Sequence, residues 1–538
     1  MSGLTALVEG LLADEYSANP LLASGLGLTE YDHLLPDLSA QAWERRAARD
    51  EHWLARLEAV EEDEVSDPED RADRDLAVAM LRGRQALRDW SDWRRNPDHY
   101  TGPGLNGVFS LFLHRLRPDS DLVDAAVARL EAVPDLLAQG RANLDPTLAS
   151  PLLVRRALGQ ARSAVHYTRD QVAANVSDPG LQARLTNAGA EAAGAYQEFV
   201  PFLEDLAERA TGDWAIGEAR YDALLTQREG LAYGARGLHD RGIAAYAELE
   251  AEIRRLTRGL RGDDDWRSLV DELNDDFPAT PEDMLAGYTE WTARSQAFLA
   301  EHGLVSLPEG EQCAVVPAPD FSRSVTAVAY YIAPPPLAAG PPRGHFFVPY
   351  PPDVATPDQV VDRLKSNARF TIPTTAVHEA YPGHHWQFAH MAAQQKRQLR
   401  SVFRTPYFTE GWALYAEQMM RDKGFFTDPR HEVGQVEARL FRAARMIVDT
   451  ALHLGEMTPE DATVFMSTKT ALSPDTAKAE VARYCAWPTQ APSYLTGALE
   501  IGRMATAWTG DLREFHDRLA ASGGLPIAIA ERLLLSGA

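Results

Sequence analysis

Along the first 310 or so residues, apolar positions recur at intervals of three and four, the period of amphipathic helices. AQAWERRAARDEHWLARLEAV follows a cap signal at Asp37-Leu38-Ser39, and DRADRDLAVAMLRGRQALRDW repeats the pattern. LVDAAVARLEAVPDLLAQGRANL, PLLVRRALGQARSAVHYTRDQVAANV, LQARLTNAGAEAAGAYQEFVPFLEDLAERA and GLAYGARGLHDRGIAAYAELEAEIRRLTRGL continue it, with no fixed repeat period. The pattern predicts long packed helices. Asn96-Pro97-Asp98 and Gly102-Pro103-Gly104 read as a loop. Trp43, Trp53, Trp90 and Trp93 read as core. Tyr100 is open to two readings, facing a cleft or covering a helix end.

From about residue 311 the period shortens. GEQCAVVPAP, SVTAVAYYIAPP and GHFFVPYPPD are short, β-branched or aromatic, and bounded by Pro and Gly. They predict two or three strands, with PPPLAAGPPRG as a connecting loop; of Tyr330 and Tyr331 either one faces a site or both pack. Helical periodicity then resumes through a start signal at Thr371, Pro373 and Thr374. The expected organisation is a helical scaffold lobe, 1–310, and a metal-site lobe, 311–538.

The chemistry-bearing stretch is His378-Glu379-Ala380-Tyr381-Pro382-Gly383-His384-His385. In the common HExxH pattern, histidines at i and i+4 share a helix face and bind one Zn²⁺, while the adjacent glutamate polarises water and shuttles its proton. Here position i+4 is Pro382. On a regular helix i+6 points about 240° from i, and i+7 lies about 10 Å up the axis. A shared metal therefore needs a distorted helix. Pro382 cannot donate to residue 378, and Gly383 tolerates unusual backbone angles, so a π-type bulge is expected at Pro-Gly. Absorbing two residues puts His384 in the i+4 place. His385 needs three and stays as the alternative ligand. The third ligand is expected from FTEGWALYAE: Glu410 first, Glu417 seven residues on as second choice.

Further on, Arg445, Asp449 and His453 follow at i+4 steps on one helix face. They read either as an ion-pair ladder or as Asp449 orienting His453 toward the substrate. Hydrolysis at a metal builds an oxyanion that needs a second donor, and a neutral tyrosine hydroxyl can serve. Tyr484 and Tyr494 are the candidates, with Arg483 placed either to hold a substrate carboxylate or to pair with an acid.

HEAYPGHHWQ followed by FTEGWALYAEQM resembles the signature of the domain-of-unknown-function family 885, which in turn resembles the glutamate-zincin metallopeptidases. ANPLLASGLGLTEYDHLLPDLS, NPDHYTGPGLNGVFSLF and EVARYCAWPTQAPSYLTG extend the likeness over nearly the whole chain. The resemblance implies a mainly α, bilobed, zincin-like fold with a deep cleft and a small antiparallel sheet beside the metal helix. Arg483-Tyr484 is also similar to the arginine-tyrosine pair of the angiotensin-converting enzyme family, where the tyrosine stabilises the oxyanion. Leu414 stands where some zincins carry an orienting aspartate, so the partners of the ligands are not legible.

The net charge of −25 argues against nucleic acid and anionic membranes as partners. No apolar run reaches the roughly 18 residues of a membrane span, and the first twenty residues lack a basic secretory n-region. Cys313 and Cys485 lie in no ligand motif and fit a reducing compartment. These features lead to an expected cytoplasmic zinc metallopeptidase. His378, His384 and Glu410 hold Zn²⁺, Glu379 is the base, and Tyr484 with His453 stabilises the oxyanion of a short peptide. The alternatives are hydrolysis of a non-peptide amide or ester, and a non-catalytic binding protein with a structural zinc closed by four protein ligands.

Overall fold

The computed structural model describes residues 3–319, 323, 328–338, 343–352, 355–394 and 397–536. It is mainly helical. By Cα proximity the chain forms two compact units: Met1–Arg228 with Pro335–Ala339, and Glu229–Pro334 with Gly340–Ala538. The expected division at 310 differs from this. The helix Ala235–Arg261 belongs to the second unit because it packs along the helix Pro429–His453. Gly242 permits the approach: a Cβ there would lie 2.8 Å from Cβ of Met446.

In the first unit the periodic segments form helices as expected. Ser39 caps Ala40–Glu58 by accepting from the Ala42 N–H, and Leu54 and Leu57 are buried on its inner face. The loop reading fails. Gly102-Pro103-Gly104 is not a loop but lies inside the helix Asp98–His114. Packing overrides the local signal, since a Cβ on Gly104 would meet Val133 and the Tyr196 hydroxyl, so only glycine lets these elements close up. Tyr100 on the same helix is fully buried, donating to the Trp93 carbonyl (2.7 Å) and accepting from Asn143 (3.0 Å). Of the four tryptophans expected in the core only Trp53 is buried.

The second unit holds the sheet. Strands β1 (Gln312–Pro317), β2 (Tyr330–Ile332) and β3 (Arg343–Val348) lie in the order β1-β3-β2. The sheet is mixed, not antiparallel: β1 runs parallel to β3, with Cys313 opposite Gly344, and β2 antiparallel to it, with Tyr331 opposite Phe346. A parallel pair needs a long connection, and the segment between β1 and β3 supplies one while placing β2 on the far edge. Residues 324–327 of the second predicted strand and 339–342 of the connecting loop lie outside the described residues.

Helix starts downstream repeat one device. Thr405-Pro406, Asp428-Pro429, Thr458-Pro459 and Ser473-Pro474 each combine a capping side chain with proline in the first turn. Among the described residues no helix is long and apolar enough to cross a membrane.

Candidate metal centre

The helix Ile372–Glu379 stops after the first histidine, and a second helix, His384–Gln394, starts at the next. Between them Ala380 leaves helical geometry (φ −111°, ψ −87°) and the Tyr381–Pro382 peptide is cis. The expected π-type bulge is therefore replaced by a full interruption. The residue arithmetic nevertheless holds. Gly383 N–H donates to Val377 O (3.0 Å) and Trp386 N–H to Ala380 O (3.1 Å), each spanning six residues where a helix spans four. Two residues are absorbed, so His384 comes round to face His378.

Two contacts hold the link. Trp412 Nε1–H donates to the Pro382 carbonyl at 2.8 Å. A Cβ on Gly383 would collide with the carbonyls of Val377 and His378, so the tight return requires glycine. Thr371 occupies the cap position of the first helix without a side-chain cap bond; Thr374 is engaged elsewhere, as described below.

Glu410 arrives on the helix Pro406–Asp422. Its Oε2 is 3.7 Å from His378 Nε2 and 3.3 Å from His384 Nε2. Ligand atoms of His378, His384 and Glu410 all lie within 4.8 Å of one another. Gly411 and Gly497 seat this helix against Ser493–Ala507, where a Cβ on Gly411 would come 2.6 Å from the Gly497 Cα.

Glu417, the second-choice ligand, is instead the orienting partner of His378. Its Oε1 meets His378 Nδ1 at 2.7 Å, and its Oε2 accepts from Thr374 Oγ1 at 2.7 Å. With Nδ1–H donated to Glu417, the proton that His378 gives up to become a ligand is the one on Nε2, the nitrogen facing Glu410. His384 Nδ1 is buried with no hydrogen-bond partner among the described residues, and the ring lies against Phe388.

The charges are strongly coupled. Burial pushes the Glu410 carboxyl up, but hydrogen bonds from His378 and His384 outweigh it and hold the group far below the usual carboxylate range. Burial lowers His378, but Glu410 and Glu417 outweigh it and raise the ring to about 10. Burial raises Glu379, with His378, His384 and the Tyr331 backbone N–H pulling the other way. Two imidazole nitrogens and a carboxylate oxygen suit Zn²⁺, and three protein ligands leave a fourth tetrahedral position open. The donor set and its convergence fit that ion.

His385 does not join this group. Its Nε2 meets Glu311 at 2.5 Å and its Nδ1 the Tyr331 hydroxyl at 3.0 Å. Glu311 also accepts from Tyr381 (2.7 Å) and Gln296 (3.0 Å). This buried network ties β2 and the foot of β1 to the second histidine helix, and it removes His385 as the alternative ligand. Of the two strand tyrosines, Tyr331 is the one that reaches this region.

The oxyanion candidates also separate. The Tyr484 hydroxyl donates to Glu480 (2.7 Å) and accepts from Arg445 Nε (3.2 Å). Arg483 pairs with Glu480 at 2.9 Å and donates to Gln490, the acid-pairing reading of that residue. His453 Nε2 donates to the Tyr484 carbonyl at 3.0 Å, and Asp449 Oδ2 accepts from the Thr489 N–H at 3.1 Å. Tyr494 lies within electrostatic reach of Glu410. Burial raises its pKa first, and the charge of Glu410 raises it further. The Arg445 guanidinium lies 4.9 Å from its ring centre.

Sequence reasoning missed Glu311 and Trp412, and it gave Glu417 the wrong role. Glu417 was findable: it lies two turns from Glu410 on one helix face. Glu311 precedes a strand with no motif around it.

A mainly helical chain thus carries a His-His-Glu cluster built from an interrupted helix and a separate acidic helix. Residues 20–534 match the family described as "Bacterial protein of unknown function (DUF885)", and the chain belongs to it. A solved structure of a "putative lipoprotein of unknown function" from Shewanella oneidensis is similar at TM-score 0.81 and 19% identity, covering 99% of this chain and 100% of that one. A "putative lipoprotein" from Colwellia psychrerythraea is similar at TM-score 0.83 and 21% identity, covering 99% and 98%. At these identities the likeness is one of fold. No protein of curated function matches the chain.

Proposed function

We propose that this chain is a zinc-dependent hydrolase acting on short peptides. The observation that carries the reading is the convergence of His378, His384 and Glu410 within 4.8 Å, with Glu379 next in sequence to the first. His378, held by Glu417, and His384, brought round by the two-residue insertion, hold the ion with Glu410. Bound Zn²⁺ supplies Lewis acidity, lowering the pKa of water and polarising the scissile carbonyl. Glu379 takes the proton of the attacking water and returns it to the leaving amine. Tyr494 donates to the developing oxyanion, the role first expected of Tyr484, whose hydroxyl is committed to Glu480. The engagement of His385 by Glu311 supports a three-ligand, open site over a closed structural one. The peptide substrate class follows the likeness of the histidine and acid helices to the glutamate-zincin pattern.

The test combines metal analysis with mass spectrometry of a peptide mixture incubated with purified protein. One zinc per chain is expected, lost in His378→Ala. Glu379→Gln is expected to keep its zinc while turnover falls by about 10²–10⁴-fold. Near-normal turnover in zinc-loaded Glu379→Gln removes the assigned base, and a zinc-loaded protein inert to peptides but active on simple amides or esters changes the substrate class.

A further inference from the structure

Far along the chain from the histidine motif, the first compact unit contains a cavity of about 720 Å³, within the range of small-molecule sites. Its wall combines Trp43 and Trp93, stacked with centres 6.0 Å apart at 11°, with leucines such as Leu54 and Leu81. Both indoles are only half-buried, and an apolar occupant would cover the area they leave exposed.

Most charged side chains of this wall are held in ion pairs. Glu15 binds Arg49 and Arg84, Asp50 binds Arg49, Glu51 pairs with Arg88, and Asp98 with Arg156. Arg46 is the exception. Its guanidinium lies 4.9 Å from the Trp43 ring centre and donates through Nη2 only to two backbone carbonyls, of Ala18 (2.9 Å) and Asp37 (2.8 Å). Among the described residues no carboxylate pairs with it within ion-pair distance, so Nε and Nη1 keep donors to offer. Burial, with the Arg49 charge adding, lowers its pKa, against the opposing pull of the Asp37, Glu15 and Asp50 charges.

We propose that this cavity binds an amphipathic organic anion, a carboxylate with an aromatic or ring-bearing body, its headgroup on Arg46 and its body on the Trp43–Trp93 wall. A guanidinium backed by an indole recognises a carboxylate in a fixed plane. The site is independent of the hydrolase reading, since none of its residues belongs to the histidine-glutamate cluster.

The test uses the full-length protein and two probes of one shape, 2-naphthoate and its uncharged counterpart 2-naphthylmethanol, by calorimetry and tryptophan fluorescence. Saturable one-to-one binding of the acid is expected, at least about tenfold tighter than the alcohol and weakening with salt. Arg46→Gln is expected to remove that preference while leaving the alcohol's affinity unchanged, and Trp93→Ala to weaken both. The wild-type comparison needs no variant to fold. Absence of saturable binding at millimolar acid overturns the proposal, as does equal affinity for the two probes. Unchanged binding in folded Arg46→Gln overturns the assigned headgroup contact. Loss of zinc in His378→Ala is expected to leave naphthoate binding as it was, which separates this site from the metal centre.

Discussion

Glu417 illustrates how one buried carboxylate can act without touching a reacting atom. It is almost fully inaccessible, and its two oxygens are committed to His378 and Thr374. It thereby fixes which imidazole nitrogen of His378 carries the proton. Glu417→Gln preserves the shape but can place an amide N–H against His378 Nδ1. Zinc affinity, measured by competition with a chromophoric chelator, is expected to fall by about 10–100-fold, with the helical circular dichroism intact. An unchanged affinity would leave His378 oriented by packing alone. The corresponding position on His384 has no such partner among the described residues, so there the two histidines are held by different means.

At the scale of elements, the histidine helix and the acid helix are coupled through backbone. Trp412, two residues from Glu410, grips the carbonyl of Pro382, and the interrupted turn survives only because Gly383 carries no side chain. Gly383→Ala is expected to force Val377 and His378 carbonyls away and separate His384 from Glu410. A destabilisation of about 1–3 kcal/mol, as for overpacked cores, should accompany loss of stoichiometric zinc. Thermal unfolding and metal content of the purified variant measure both, and retention of full zinc would mean the link can return by another path. The mixed sheet belongs to the same scale. Through Tyr331 and Glu311 it grips His385, so the second helix is anchored from β2 and the start of β1.

Across the molecule, stability and pH are linked through buried histidines. His516 is fully buried; its Nδ1–H donates to the Leu304 carbonyl (2.8 Å), and its Nε2 accepts from the Tyr415 hydroxyl (2.9 Å). That arrangement satisfies the neutral ring, and burial is the main cause that lowers its pKa to about 4. Between pH 4 and 6.5 the unfolded chain binds a proton there that the folded chain does not. This contribution to stability is therefore full above about pH 6.5 and lost as pH falls toward 4, an effect of roughly 3 kcal/mol. Urea unfolding at pH 7 and pH 4.5 should show a larger acid loss in the wild type than in His516→Gln. Equal losses would place the acid sensitivity elsewhere.

Much of the candidate site could be read in the sequence because its signals are local. Proline at i+4 excluded a regular HExxH helix, and counting two surplus residues selected His384 over His385. The cap-proline pairs and the three- and four-residue periodicity marked most helices for the same reason: each depends on a few adjacent residues. Tertiary structure alone decided the rest. Gly102-Pro103-Gly104 is helical because Val133 and Tyr196 close on Gly104. Tyr484 lost its expected role to Glu480 and Arg445, and His385 was claimed by a glutamate 74 residues earlier. Residue types and spacing determine which groups can coordinate, donate or turn the chain. Which partner a buried polar group finds depends on what packing brings within about 3 Å of it, and no local pattern encodes that.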